Sequence, residues 1–233
     1  MRPPPRACSL LIGLGWVQCA LAQTPVALVE DVKGPVAGLE VMDYLMAGQT
    51  FRLGPDETVV IDYLNSCVHE KIQGGTVKIG VKQSEVESGA IEREHVDCDA
   101  RKMMTTSRQA VDNAGYIFRE SKEAHERLPK ISRAPDPEFT LYGLSPLIEL
   151  DGSGPLVIGR LDQKGEYYDL DINQDKLLHR RFLDLAADGK SLTAGGIYGA
   201  RWKKRLTVFR IDQAALPGQA PVLGRLLKLE PAP

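Results

Sequence analysis

Two cysteines and two histidines bracket residues 67 to 98: Cys67-Val68-His69 opens the stretch and His95-Val96-Asp97-Cys98 closes it. Two thiolates and two imidazoles are the ligand set of a tetrahedral zinc site. In an oxidising compartment the same cysteines instead close a disulfide. On an extended strand Cys67 and His69 share a face about 7 Å apart, which is wide for two ligands of one ion. A disulfide needs only that the two ends approach, and over this span the loop-entropy model gives it roughly 3 to 4 kcal/mol. The expected pairing is therefore Cys67 with Cys98, and a metal on His69 and His95 is the alternative.

The N-terminus speaks to the compartment. It reads MRPPPRACSLLIGLGWVQCALAQ: Arg2 and Arg6 precede an uncharged run that closes on Ala20-Leu21-Ala22. A basic start, an apolar middle and an A-x-A end are the pattern of a secretory signal, here 1–22. Its removal takes Cys8 and Cys19 and leaves Cys67 and Cys98 as the mature pair. It also takes two of 29 basic residues, so 27 face 31 acidic ones. A mildly acidic surface argues against nucleic acid as a partner. No later stretch is long and apolar enough to span a bilayer, so a periplasmic or secreted location is expected.

Glu92, Glu94, Asp97 and Asp99 surround His95. Such a cluster can bind a hard cation or raise a carboxyl pKa, but charges on an edge strand also block edge-to-edge pairing, and that plainer reading is preferred. The run from Asp169 to Asp175 echoes the start of a calcium loop, yet Gln174 takes the glycine position and Arg180 the closing glutamate position; a strand entering a turn fits better. Arg201, Trp202, Lys203, Lys204 and Arg205 form a basic run with an aromatic. Together with His179-Arg180-Arg181 they can make a patch for an acidic envelope protein, glycan or lipid. The plainer reading is an exposed hairpin tip. Ser145, in Gly-Leu-Ser-Pro, lacks the second glycine of a nucleophile elbow. No phosphate loop, H-E-x-x-H or dinucleotide fingerprint occurs outside the signal. No cofactor and no catalytic residue is expected.

Three units must position these groups: 23–120, a linker over 121–138 with Pro129, Pro135 and Pro137, and 139–233. The first unit reads as short strands. Gly34-Pro35 and Gly54-Pro55-Asp56-Glu57 are expected turns, and Gly74-Gly75 an expected hairpin. Val77, Ile79 and Val81 alternate with polar or small residues, so one face of that strand is buried. Thr106 and Gln109 have capping-box spacing, which predicts a short helix over 107–114, and a strand follows at 116–118. Through VEDVKGPV, LMAGQTFRLGPDETVVIDYL and IQGGTVKIGVKQSEV, this unit resembles the FecR-like periplasmic β domain. The resemblance implies a small β domain in an envelope sensing assembly.

In the last unit strands are expected at 139–142, 147–150, 156–161, 167–172, 182–185, 197–202, 206–211 and 225–229, with the spacing of a β-sandwich. Leu192, Ala194, Gly196 and Tyr198 step by two, and so resemble the tyrosine corner of fibronectin type III and immunoglobulin-like domains. That resemblance implies a Tyr198 hydroxyl bonded to upstream backbone. The whole reads as an all-β exported protein with a non-catalytic binding or scaffolding role in the bacterial envelope. The alternative is an exported metal-binding protein or hydrolase built on His69, His95 and nearby acids.

Overall fold

The computed structural model describes residues 24–36, 38–99, 134–218 and 221–229. The expected signal, the helix at 107–114, the strand at 116–118 and most of the linker lie outside the described residues. Segments rich in Val, Ile, Tyr and Thr form strands, since branched and aromatic side chains pack well on a pleated surface. The chain is all-β, and no described helix reaches seven residues.

The N-terminal sheet contains β1 (Ala27–Lys33), β2 (Tyr44–Leu45), β3 (Thr50–Tyr63), β4 (Val68–Lys78), β5 (Glu85–Glu87) and β6 (Ala90–His95). Their order is β2-β1-β3-β4-β5, and β6 also pairs with β4; every pairing is antiparallel. The glycine signals act differently from expectation. β4 runs through Gly74-Gly75 rather than reversing there, and β3 runs through the Gly-Pro-Asp-Glu segment. Leu53 pairs with Gly75 and Thr58 with Gln73, so four residues of β3 bulge against Gly74 and both strands bend together. Gly75 has φ 84°, and a Cβ there would collide with Glu87 O and Gly89 N of the neighbouring β5–β6 bend. The glycines permit a kink and a close approach. The reversal falls between Lys78 and Glu85 instead. Val77 and Ile79 are buried as expected, but Val81 is 61% exposed because it lies in that turn.

A period of two sorts β1, β3 and β4 into faces. Val29, Val59, Ile61, Tyr63, Ile72 and Val77 face one side and form the N-terminal core. Val29 and Val32 are three apart, so a regular strand cannot turn both to that core. A β-bulge between Val29 and Asp31 resolves this by making Glu30 the extra residue.

The C-terminal half follows the expected strand pattern closely. β9 (Gly154–Arg160), β10 (Tyr167–Ile172), β12 (Ile197–Trp202), β13 (Arg205–Leu216) and β7 (Phe139–Gly143) form a sheet of order β10-β9-β12-β13-β7. A second sheet orders β11 (Phe182–Asp184), β8 (Leu147–Glu149) and β14 (Leu226–Lys228) as β11-β8-β14. The β13–β7 and β14–β8 pairings are parallel. The two sheets enclose a core of Ile148, Leu156, Ile158, Leu183, Trp202 and Phe209, among others. Arg225, 2% exposed, forks onto Asp184 at 2.7 and 3.2 Å and ties β11 to the start of β14.

A third cluster crosses between the halves. Leu28, Met42 and Leu64 pack with Leu147, Phe182, Val222, Leu223 and Leu226, and Cys67 and Cys98 lie against it. The sheet face carrying Leu28 is thus covered by the C-terminal half, including the 3-10 turn Val222–Gly224.

Candidate functional site

Three strands converge a polar group on that covered face. Leu28 pairs with Asp62, Asp62 with His69 and His69 with Glu94, so all four share a face. His69 Nδ1 lies 2.7 Å from Asp62 Oδ1 and 3.5 Å from Glu30 Oε2. The bulge turns Glu30 toward this group, away from the core that Val29 and Val32 serve. Glu30, Asp62 and His69 each offer one potential ligand atom, and the three atoms lie within 4.8 Å of one another. Burial first, then the hydrogen bond and charge of Asp62, push the Glu30 carboxyl up to about 8, against the pull of His69 and the Val222 backbone. The hydrogen bond to Asp62 raises the His69 pKa above its ordinary value despite burial, with further help from the charges of Asp62, Glu30 and Glu94. Asp62 is wholly buried, and its Oδ2, like Glu30 Oε2, receives no N–H or hydroxyl donor among the described residues, apart from a proton shared between the two carboxyls themselves.

The expected staple is present: Cys67 and Cys98 form a disulfide with Cα atoms 5.9 Å apart. The Val68–His95 pairing at the ends of β4 and β6, extended by the Val96 amide on Cys67 O at 3.0 Å, brings the cysteines together. The same register corrects the alternative metal pair. His95 lies opposite Val68 and His69 opposite Glu94, so the two histidines face opposite sides of the sheet. Of the four acids near His95, Glu94 alone contributes to the His69 group, by charge. Glu92 pairs loosely with Lys71 at 3.9 Å, while Asp97 and Asp99 follow the strand, and Asp99 accepts from the Thr140 amide at 3.2 Å.

The basic run is tied down in place. Trp202 is 1% exposed and donates Nε1–H to Asp151 Oδ1 at 2.7 Å, and Lys203 Nζ reaches Asp151 Oδ2 at 2.7 Å. Arg205 lies 3.9 Å from Glu138, and Arg201 is half-buried. Lys204 alone of the five is an exposed cation without an ion pair among the described residues. The tip of the β12–β13 hairpin is therefore largely neutralised.

Beyond Asp151 a groove of about 510 Å³ opens on the C-terminal half, lined by Glu149, Asp151, His179, Arg180, Arg181 and Lys228, with some neighbours. Tyr44 donates to Glu149 Oε2 at 2.6 Å, beneath the cations of Arg181 and Lys228, which lie 5.7 and 5.6 Å from its ring centre. Glu149 is also shared by Lys228 at 3.7 Å and Arg181 at 3.9 Å. His179 meets Glu40 at 3.5 Å. Arg180 is exposed and has no ion pair among the described residues. The turn carrying it is closed by the Arg181 amide on Leu178 O at 3.0 Å, and both central residues are left-handed, His179 at φ 49° and Arg180 at φ 57°. Such a turn ordinarily takes Asn-Gly.

Tyr198 is buried, and its hydroxyl accepts from the Thr193 amide at 2.9 Å and donates to Glu166 Oε2 at 3.0 Å. A Cβ on Gly196 would sit 2.6 Å from the ring, which accounts for the glycine two residues before it. Glu30 and Asp62 are the residues that sequence reasoning passed over. Their signals were the broken alternation of Val29-Glu30-Asp31-Val32 and the single charge inside Val59-Val60-Ile61-Asp62-Tyr63-Leu64. No family model, curated protein or solved structure matches this chain.

Proposed function

We propose that this chain is a non-catalytic binding or scaffolding module of the bacterial envelope that holds an acidic partner, the carboxylate-rich face of a protein or glycan, in the groove of its C-terminal half. The observation that carries this reading is the turn at His179-Arg180. Left-handed backbone costs a residue with a side chain roughly 1 to 2 kcal/mol, and glycine nothing comparable. Histidine and arginine at these two positions place charged or polar side chains where glycine would be easier, and backbone strain of this kind gathers at functional sites. Arg180 meets solvent at the groove, with Arg181 and Lys228 nearby. The disulfide belongs to an oxidising compartment, in accord with the secretory pattern of 1–22. No described helix is long and apolar enough to cross a membrane. The FecR-like and fibronectin-like resemblances extend the proposal toward a sensing or docking assembly.

The test is retention of the disulfide-intact protein on immobilised polyglutamate at low salt, compared between wild type, Arg180→Gly and Lys204→Ser. Arg180→Gly should elute at lower salt, while Lys204→Ser elutes with the wild type. Equal elution of wild type and Arg180→Gly removes the groove from the proposal.

A further inference from the structure

The geometry points to Glu30, Asp62 and His69 as a binding site for one divalent first-row transition cation, zinc or manganese, beneath the Val222–Gly224 turn. This site is separate from the groove, and its donor set differs from the His69–His95 pair suggested by the sequence. Bonds of about 2.0 to 2.2 Å place the ligands of a tetrahedral ion roughly 3.4 Å apart. His69 Nδ1 and Glu30 Oε2 stand 3.5 Å apart, close to that spacing. The 2.7 Å contact from His69 Nδ1 to Asp62 Oδ1 is a hydrogen bond in the metal-free chain, too short for two ligands of one ion, so a cation must displace the Nδ1 proton to solvent and take the nitrogen lone pair in its place. It leaves Asp62 Oδ2 as the oxygen to meet the cation.

That oxygen is the independent observation. The Asp62 side chain is 0% exposed, and Oδ2 receives no N–H or hydroxyl donor from any described residue. Glu30 Oε2 is in the same position. Buried carboxylate oxygens are ordinarily supplied with amide or cationic donors. Here a wholly buried carboxylate has an oxygen without one, in a group whose three potential ligand atoms lie within 4.8 Å of one another, and Glu30 reaches the place only through the extra residue of a bulge. Bulges recur where a strand must re-aim one side chain. A cation can enter from the side on which His69 is 19% and Glu30 10% exposed, and the exposed Glu94 opposite His69 adds negative charge there. One imidazole with two carboxylates suits zinc or manganese, whereas calcium asks for six to eight oxygens. The rival occupant of the same space is a proton shared between the two carboxyls.

The experiment takes the full chain, exported so that its disulfide forms, strips it with a chelator and titrates it by calorimetry with ZnCl2, MnCl2 and CaCl2. The expected result is one zinc or manganese per chain, bound at least about a hundredfold tighter than calcium. Losing a ligand should exceed the roughly 10- to 100-fold loss that follows removal of a group which merely orients one. Glu30→Gln, which keeps the shape of the side chain, and Asp62→Asn should each show it. Far-UV circular dichroism establishes that Glu30→Gln is folded, so the conclusion survives if Asp62→Asn does not fold. His95→Gln, on the opposite face, should bind as the wild type does. Equal binding by folded Glu30→Gln and wild type, or loss in His95→Gln, overturns the assignment by placing the metal elsewhere, and no heat from either metal with wild type overturns it in favour of the shared proton.

Discussion

Glu70 and Asp62 are both wholly buried carboxylates on adjacent strands of one sheet, yet they face opposite sides and are treated in opposite ways. Glu70 accepts from the Ser84 amide through both oxygens at 3.1 Å and from Arg93 Nε at 2.7 Å, while Arg93 also holds Ser84 O at 2.6 Å. Tyr63 completes the group through its 2.9 Å contact with Ser84 Oγ. These bonds pin the turn between β4 and β5 onto the core. Asp62 has one imidazole, a second carboxyl beside it and an oxygen with no donor among the described residues. A structural acid is one whose partners are all built in. The contrast sets Asp62 apart as a buried acid whose donors among the described residues do not complete its environment.

The largest expected effect lies on the Asp62 side and is probed by pH in metal-free protein. The folded pKa of Glu30 lies near 8, above its unfolded value of 4.5, and that of His69 lies above 6.5. Between those values the folded state binds more protons than the unfolded one, so the cluster's contribution is full below about pH 4.5 and falls as pH rises through 8. The loss between pH 5 and 9 should be on the order of 4 kcal/mol. Glu30→Gln should flatten this slope, read as melting temperature against pH; an unchanged slope would place the titration elsewhere. Arg93→Ala, by contrast, should lower the curve without removing the slope.

Next comes the disulfide, which closes the sheet edge near both acids. Cys67→Ser with Cys98→Ser should lower stability by about 3 to 4 kcal/mol in urea unfolding. Agreement between the double variant and reduced wild type would place the effect in the crosslink rather than in the packing of sulfur against the shared cluster.

The Glu70 side comes third. Arg93→Ala leaves the wholly buried Glu70 carboxylate with the Ser84 amide as its one remaining donor among the described residues. Losing one partner of a fully buried pair costs about 3 to 5 kcal/mol, and the 37% exposure of Arg93 puts this variant at the lower end. Urea unfolding should show this as a lower midpoint with little change in slope. A loss under about 1 kcal/mol would make Glu70 no better satisfied in practice than Asp62.

The smallest effect lies outside both acid clusters. Arg180→Gly relieves left-handed strain and should raise stability by about 1 kcal/mol, while it weakens polyanion retention. A variant that is both less stable and less retentive would show that Arg180 holds the turn rather than a partner.

The sequence by itself determined the all-β class, nearly every strand of the C-terminal half and the cysteine pair. These depend on local alternation, turn residues and a count of cysteines, all readable along the chain. The tyrosine hydroxyl's bond to backbone five residues upstream was equally local. Only the tertiary structure decided that Gly74-Gly75 is a kink rather than a hairpin, because the collision that demands glycine comes from Glu87 and Gly89 across the sheet. It likewise decided that His69 and His95 face apart and that Trp202 and Lys203 are held by Asp151, since register and long-range partners leave no trace in spacing. The Glu30–Asp62–His69 group is the sharpest case. Its members come from three strands, and one of them is aimed by a bulge whose sequence sign is only a broken alternation.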